Sequence, residues 1–431
     1  MNTPELLAPA GGIRQLEAAV RFGADAVYLG LDQLSLRARA SNFTMDGLGE
    51  ASRYAHERSV RVYLTLNIFP YDEDIGPMAV AAREARARGV DAVILSDPGA
   101  LTAVREAAPG LEIHLSTQAN TLNAAAARFW HTQGVRRIIL SRELSLGRIR
   151  AMRAALPPSL ELEAFAHGAA CMSYSGRCSL SAYLAGRGAN RGDCAQPCRW
   201  RYALTEEKRP GMFFAIEENG HPVGRDTFGA PVLSETPHAP GAPRYSHILS
   251  AGDLCMIRHL SELAETGLSA LKIEGRAKNE YYVATVTGAY RRGLDAIRAG
   301  AFTPELANEL GRELENVSHR PYDTGFYLGD PERPGGAPGY SQRMEYAGRV
   351  VGFEGGLAVV ALKNRIFAGD ELELMTPCEI RGFRASEIFT ESGESVESCG
   401  VPGALVRIAI PYRCEPGDLL RGTCRNHVHA E

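Results

Sequence analysis

The stretch Val60-Arg-Val-Tyr-Leu-Thr-Leu66, followed by Pro77-Met-Ala-Val-Ala-Ala-Arg-Glu-Ala-Arg-Ala-Arg88 and Asp91-Ala-Val-Ile-Leu-Ser96, decides the fold. The outer segments are short, nearly continuous apolar runs, as parallel strands covered on both faces require. Between them apolar residues recur at helical spacing, so the unit reads strand, helix, strand. On either side the unit repeats at spacings of roughly 25–35 residues, the size of one βα step. Strands are predicted at Glu5–Pro9, Ala24–Leu29, Val60–Leu66, Asp91–Ser96, Glu112–Ser116, Arg136–Ser141, Glu161–Ala166 and Ala270–Ile273, with an amphipathic helix at Arg14–Phe22. Eight units in order predict a TIM-like (β/α)8 barrel, with an open doubly wound sheet as the architectural alternative. Gly11-Gly12 is no dinucleotide fingerprint, because it lacks the further spaced glycines that bring backbone to a pyrophosphate.

The seventh unit is interrupted. About 80 residues separate the strand ending near Ala166 from the helix starting near Ala251, far more than an ordinary βα loop. In a barrel such a loop sits at the C-terminal mouth, where chemistry is built. Its tract Gly220–Arg244 is rich in proline and glycine and reads as a surface excursion. A long helix, Asn279–Ala299, completes the barrel, and Asp330–Gly339 marks a boundary. Beyond it come short strands, Tyr346–Phe353, Leu357–Leu362, Glu371–Met375 and Leu405–Ile410, with turn signals such as Glu354-Gly355-Gly356. The expected organisation is a barrel over 1–300 with an insertion at about 168–250, a linker over 301–342 and a small antiparallel β-barrel over 343–431.

A net charge of −4 gives no global nucleic-acid signature, so any basic patch must be local. The opening residues show neither a basic nor an apolar leader segment, and no apolar run is long enough to span a membrane. The expected location is therefore the cytoplasm, where nine cysteines argue against a disulfide framework. Five of them, Cys255, Cys378, Cys399, Cys414 and Cys424, are scattered. The other four, Cys171, Cys178, Cys194 and Cys198, fall within 28 residues at the spacing Cys-x6-Cys-x15-Cys-x3-Cys. Unrelated thiols and a structural zinc site are two readings of that cluster. Zinc usually draws on shorter knuckles, and the unequal arms suit a larger iron–sulfur cubane. Gly168, Gly176 and Gly192 would let backbone amides approach its sulfurs.

Several segments together resemble the peptidase U32 family of collagenase-like proteases. They are Glu5-Leu-Leu-Ala-Pro-Ala-Gly11, Ala24-Asp-Ala-Val-Tyr-Leu-Gly30, the cysteine segment, Ser250-Ala-Gly-Asp-Leu254, Leu271-Lys-Ile-Glu-Gly-Arg276, Ser318-His-Arg320 and Thr324-Gly-Phe326. The resemblance implies an oxygen-independent hydroxylase carrying a 4Fe-4S cluster on Cys171, Cys178, Cys194 and Cys198, with Cys255 as a rival ligand. Branches of the family act on the tRNA wobble uridine with prephenate as co-substrate, on 23S rRNA, or on ubiquinone precursors. A barrel followed directly by a small β-domain is most similar to the tRNA branch. That implies tRNA as partner, together with a partner protein of the same family. The family's name keeps a peptidase as the alternative, with Cys171 and His167 as the pair such chemistry would need.

Polar residues at strand ends of the barrel mouth are candidates by position. Asn67, Gln118, Arg142, Lys272 and Arg276 are candidate substrate-binding residues, and Glu163, His167 and Glu274 candidate catalytic ones. Asn120 and Glu143 lie nearby. Lys272 with Arg276 or Arg142 supplies the two cations a dicarboxylate such as prephenate needs. The bland alternatives are rim salt bridges for the charged groups and a packed core position for His167. Residues 142–201 carry nine arginines against four acids, with Tyr174, Tyr183 and Trp200 interleaved, which suits RNA. The same arginines would also neutralise an anionic thiolate cluster.

Overall fold

The computed structural model describes residues 3–36, 41–174, 177–200, 202, 217–218, 221–222, 249–329 and 340–424. Most of Gly220–Arg244, the boundary Asp330–Gly339, and Gly176 lie outside the described residues.

Eight parallel strands close a barrel: Glu5–Pro9, Ala26–Gly30, Arg61–Thr65, Ala92–Leu95, Glu112–Leu115, Arg137–Ile139, Glu161–Ala169 and Ala270–Ile273. Closure is explicit, because the first strand pairs with both the second and the eighth, and the eighth also pairs with the seventh. The open-sheet alternative is thereby excluded. Side-chain caps start several of the helices: Asp97, Asn123, Ser145 and Asn279 each accept a hydrogen bond from the backbone N–H three residues on.

The seventh strand runs past Ala166 to Ala169 and carries a bulge. Lys272 pairs with Phe165 but Ile273 with His167, so Ala166 is the extra residue. Its tail then pairs antiparallel with Asp253–Cys255, which pairs parallel with Tyr322–Asp323. The two ends of the insertion are thus sewn together at a narrow neck. Gly252 belongs to it: a Cβ there would lie 2.5 Å from Asp323 Oδ2 and 2.8 Å from Pro321 O.

The segment expected to be a linker holds a helix, Pro304–Leu314, capped by Thr303 and with proline in its first turn. Leu310 and Leu314 of this helix are fully buried in the barrel's core cluster. An eight-stranded antiparallel sheet, spanning Met344–Thr423, encloses a second core around Val350, Val360, Leu374, Ile388, Ile408 and Leu420. It docks on the Glu280–Arg298 helix through the stacked rings of Tyr281 and Tyr346, and through Arg349–Glu280 at 3.0 Å. Arg421, 2% exposed, reaches Glu313 at 2.5 Å and Glu373 at 2.6 Å across the same contact. No described helix is long and apolar enough to cross a membrane.

Candidate active site

A cavity of about 590 Å³ opens at the C-terminal mouth of the barrel. Strand ends supply Tyr28, Thr65, Ile139, Phe165 and Lys272, the rim supplies Asn67, Gln118, Arg142, Glu274 and Arg276, and the insertion supplies all four clustered cysteines. The sequence segments that looked chemically loaded therefore meet in one place.

Below the cavity the barrel interior is ionic. Lys272 Nζ lies 3.0 Å from Glu163 Oε1, and Arg137 Nη1 lies 3.3 Å from Glu163 Oε2 and 2.7 Å from Glu5 Oε1. Glu161 adds a third partner to Arg137 at 2.7 Å. Burial alone would push the Glu163 carboxyl up, but Lys272 and Arg137 outweigh it and the net shift is downward. The same burial pulls the Lys272 ammonium down against the pull of Glu163. Glu163, expected as a catalytic residue at the mouth, is instead fully buried and off the cavity wall, where it holds Lys272 in place. The Lys272 ammonium also sits 4.2 Å above the Tyr28 ring.

Three further cations line the cavity, Arg142, Arg177 and Arg276. Arg142 lies 3.8 Å over the face of Phe165 and 3.7 Å from Glu274. Arg276, 2% exposed, crosses to the opposite rim, donating to Ser35 Oγ at 3.2 Å and also to Thr65 Oγ1 and Leu36 O. It fits there because residue 30 is glycine: a Cβ on Gly30 would lie 2.1 Å from Arg276 Nη1. Glu274 is matched with Arg142. Gln118 and Asn67 line the cavity but also brace its wall. Gln118 donates to Asn67 O at 2.8 Å, and Asn67 Oδ1 accepts from Leu36 N–H at 3.1 Å. Asn120 and Glu143 are not on the wall.

His167 departs from the expectation. Strict alternation would point it into the barrel with Glu163 and Phe165, but the bulge reverses its face. The ring packs outside the lumen against Tyr322, Tyr290 and Tyr282, at centroid distances of 5.3, 5.6 and 6.1 Å. Burial depresses its pKa to about 3, so it is neutral. Cys255 is likewise in packed core, where burial pushes its thiol up to about 11, and it is not on the cavity wall.

The four clustered thiols are free. Burial pushes the Cys198 thiol up, as do its neighbours Cys171 and Cys194, while Arg199 and Arg320 pull it down. Gln196, in a left-handed conformation, aims its N–H at Cys194 Sγ over 3.3 Å. Among the described residues no three His, Cys, Asp or Glu groups converge closely enough to hold a single ion. The donor set is four soft sulfurs spread over one cavity wall.

Sequence reasoning overlooked the support of that wall. Arg320, buried beside Cys171, donates to Ala170 O at 3.1 Å and Ser250 Oγ at 3.2 Å while pairing with Asp253. Both Ser250-Ala-Gly-Asp and Ser318-His-Arg stood out in the sequence, and their meeting explains why. Gly168 (φ +106°) serves the same neck, since a Cβ on it would lie 2.4 Å from Glu274 O.

Comparison with known proteins agrees in extent with this architecture. Peptidase family U32 matches residues 11–336, and the peptidase family U32 C-terminal domain matches residues 342–421. The tRNA hydroxylation protein P of Escherichia coli (strain K12) is 35% identical over 437 residues, covering 96% of this chain and 95% of that protein. The tRNA hydroxylation protein P1 of Bacillus subtilis (strain 168) is 33% identical, covering 97% and 94%. A Porphyromonas gingivalis (strain ATCC BAA-308 / W83) protein named collagenase is 30% identical, covering 97% and 98%.

Proposed function

Since the chain belongs to peptidase family U32, we propose that it is an RNA hydroxylase that modifies tRNA, with prephenate as oxygen donor and a 4Fe-4S cluster held by Cys171, Cys178, Cys194 and Cys198. The observation that carries the reading is that four free thiols share one cavity wall with Arg142, Lys272 and Arg276. Full-length similarity to two tRNA hydroxylation proteins supports RNA as the substrate. Four soft sulfurs lining one cavity suit an iron–sulfur cluster, and the unequal Cys-x6-Cys-x15-Cys-x3-Cys arms favour the larger cubane over zinc. When bound, such a cluster supplies one-electron chemistry at the cavity wall.

The chain's own residues account for binding and orientation. Arg142 and Arg276 stand at separate points of the rim and suit two carboxylates of one small molecule. Lys272 is already neutralised by Glu163, so it contributes a fixed donor and a wall beside Tyr28 rather than a full free charge. Glu274, with its carboxylate by Arg142, is the acidic group positioned to move a proton within the cavity. The wobble uridine is the proposed target base, and its ring would enter over the cysteine wall.

The peptidase reading has less support. His167 is turned into a cage of tyrosine rings and does not line the cavity with Cys171, so a Cys171–His167 pair lacks its base. The test is anoxic purification followed by iron and acid-labile sulfide assay and incubation with unmodified tRNA and prephenate. Stoichiometric iron and sulfide with a tRNA nucleoside heavier by one oxygen atom support the proposal. A colourless, iron-free protein that cleaves gelatin would reverse it.

A further inference from the structure

Of the 47 lysines and arginines in the chain only four are lysines: Lys208, Lys272, Lys278 and Lys363. Among the described residues the other cations lining the cavity, Arg142, Arg177 and Arg276, are all arginines. Lys272 therefore stands out. A guanidinium makes the better carboxylate clamp and stays charged throughout, whereas an ammonium can yield a neutral amine, which is a nucleophile.

The surroundings of Lys272 suit that chemistry. It lies on the eighth strand, Ala270–Ile273, and lines the cavity although it is 4% exposed. The ring centres of Tyr28 and Phe165 lie 4.2 and 5.9 Å from its Nζ, so aromatic faces stand where water would solvate the charge. Burial favours loss of the proton, as does Arg137, while Glu163 and Glu274 oppose it, and the balance is a lowered pKa. Glu163 Oε1, at 3.0 Å, is placed to take that proton. The other described lysines lack this setting. Lys363 is exposed on the second domain, and Lys278 donates to Ser318 O at 2.9 Å, off the cavity wall.

We propose that Lys272 is a covalent catalytic residue that condenses with the carbonyl group of a 2-oxo acid bound in the cavity, forming an imine. Glu163 takes one proton from the ammonium, and the amine so released adds to the carbonyl carbon. The C–N bond forms as the C=O bond opens. The oxygen then leaves as water, with one proton from the nitrogen and the other returned by Glu163. Nothing is oxidised or reduced, and the positive charge stays on the nitrogen beside Glu163, so the ion pair survives the step. The arginines of the wall supply charge-assisted bonds to the acid's carboxylate, which selects a 2-oxo acid over a neutral ketone. Prephenate carries a 2-oxo acid side chain. The inference thus rests on the proposed donor for the identity of the acid, and adds how that acid is held.

The test is reductive trapping on the full, anoxically purified chain at neutral pH. Prephenate or phenylpyruvate is added with cyanoborohydride, and the peptides are analysed by mass spectrometry. Hydride converts the imine to a secondary amine, so the peptide carrying Lys272 should become heavier by the acid less one oxygen atom. Phenyllactate, with a hydroxyl in place of the carbonyl, should leave no adduct. Labelling at Lys272 should run at least about ten-fold faster than at exposed Lys363, because the neutral fraction of an amine rises about ten-fold for each unit its pKa falls. Lys272→Arg, which keeps the charge, should abolish trapping. Phenylpyruvate bound by the unsubstituted chain in calorimetry without an adduct at Lys272, or equal labelling of Lys272 and Lys363, would overturn the imine and leave tRNA hydroxylation standing. If neither acid binds, the imine falls together with the proposed donor, while hydroxylation itself is judged separately by the tRNA nucleosides.

Discussion

Arg320 Nη2 lies 2.8 Å from Asp253 Oδ1, and this buried pair closes the neck of the insertion that carries the cysteines. Burial pushes the Asp253 carboxyl up, but Arg320, by its charge and its backbone N–H, brings it below the ordinary value. Removing one partner leaves an uncompensated buried charge, which costs about 3–5 kcal/mol. Arg320→Ala should therefore lower the urea midpoint and speed proteolysis within residues 170–250, before the barrel itself is cut. Because the carboxylate is the depressed group, its contribution is full above the unfolded pKa and fades as pH falls through the lower folded value. Urea midpoints for Arg320→Ala that match the unsubstituted protein at neutral pH would show that the pair does not hold the neck.

His167 gives a second pH signature. Its folded pKa is about 3 against the ordinary 6.5, so between those values the unfolded chain takes up a proton that the folded one refuses. Stability should fall as pH drops below about 6.5, by up to about 1.4 kcal/mol per pH unit from this group. The charges facing it, Asp253, His319 and Lys278, belong to the same buried cluster. His167→Phe should flatten that part of the profile and leave RNA hydroxylation in place. Loss of hydroxylation in a well-folded His167→Phe protein would restore a catalytic role to the ring.

The cysteines should sort into two groups. Serine at Cys171, Cys178, Cys194 or Cys198 is expected to abolish iron binding, whereas serine at Cys255 or Cys378 is not. Cys255 lies in core and Cys378 is exposed on the second domain. Iron and sulfide assays on anoxically reconstituted proteins decide the matter, and full loading of the Cys194→Ser protein would remove that residue from the ligand set.

Gly30 provides a test of Arg276 that keeps the arginine. An alanine methyl would lie 2.1 Å from its Nη1 and 2.6 Å from Ser35 Oγ, so the guanidinium must move. Gly30→Ala and Arg276→Ala should both weaken prephenate binding by about 2–5 kcal/mol, the cost of a lost buried charge contact, while keeping iron. Calorimetric titration measures it. Unchanged affinity in both variants would mean that Arg276 serves the rim alone.

Much of this was legible in the chain. The strands expected at Glu5–Pro9 and Ala270–Ile273 have those bounds, and the other six differ only at their ends, because continuous apolar runs between helical periodicities leave little freedom. The convergence of cysteines and rim cations followed from placing the insertion after the seventh strand. Three features escaped. The helix at Pro304–Leu314 was passed over as linker, although Thr303-Pro304-Glu305 is a start signal. The bulge at Ala166 could not be read, because one extra residue in a strand depends on its neighbour's register and reverses every later side chain. The Asp253–Arg320 clasp joins residues 67 apart, and no local pattern reports such a pair.

The most direct measurement is nucleoside mass spectrometry of tRNA from cells lacking this gene, complemented with either the unsubstituted chain or Cys194→Ser. For a cluster-dependent tRNA hydroxylase, the unsubstituted chain restores a wobble uridine heavier by one oxygen atom and Cys194→Ser does not. Identical tRNA nucleosides in the deleted and complemented cells would contradict the proposed function.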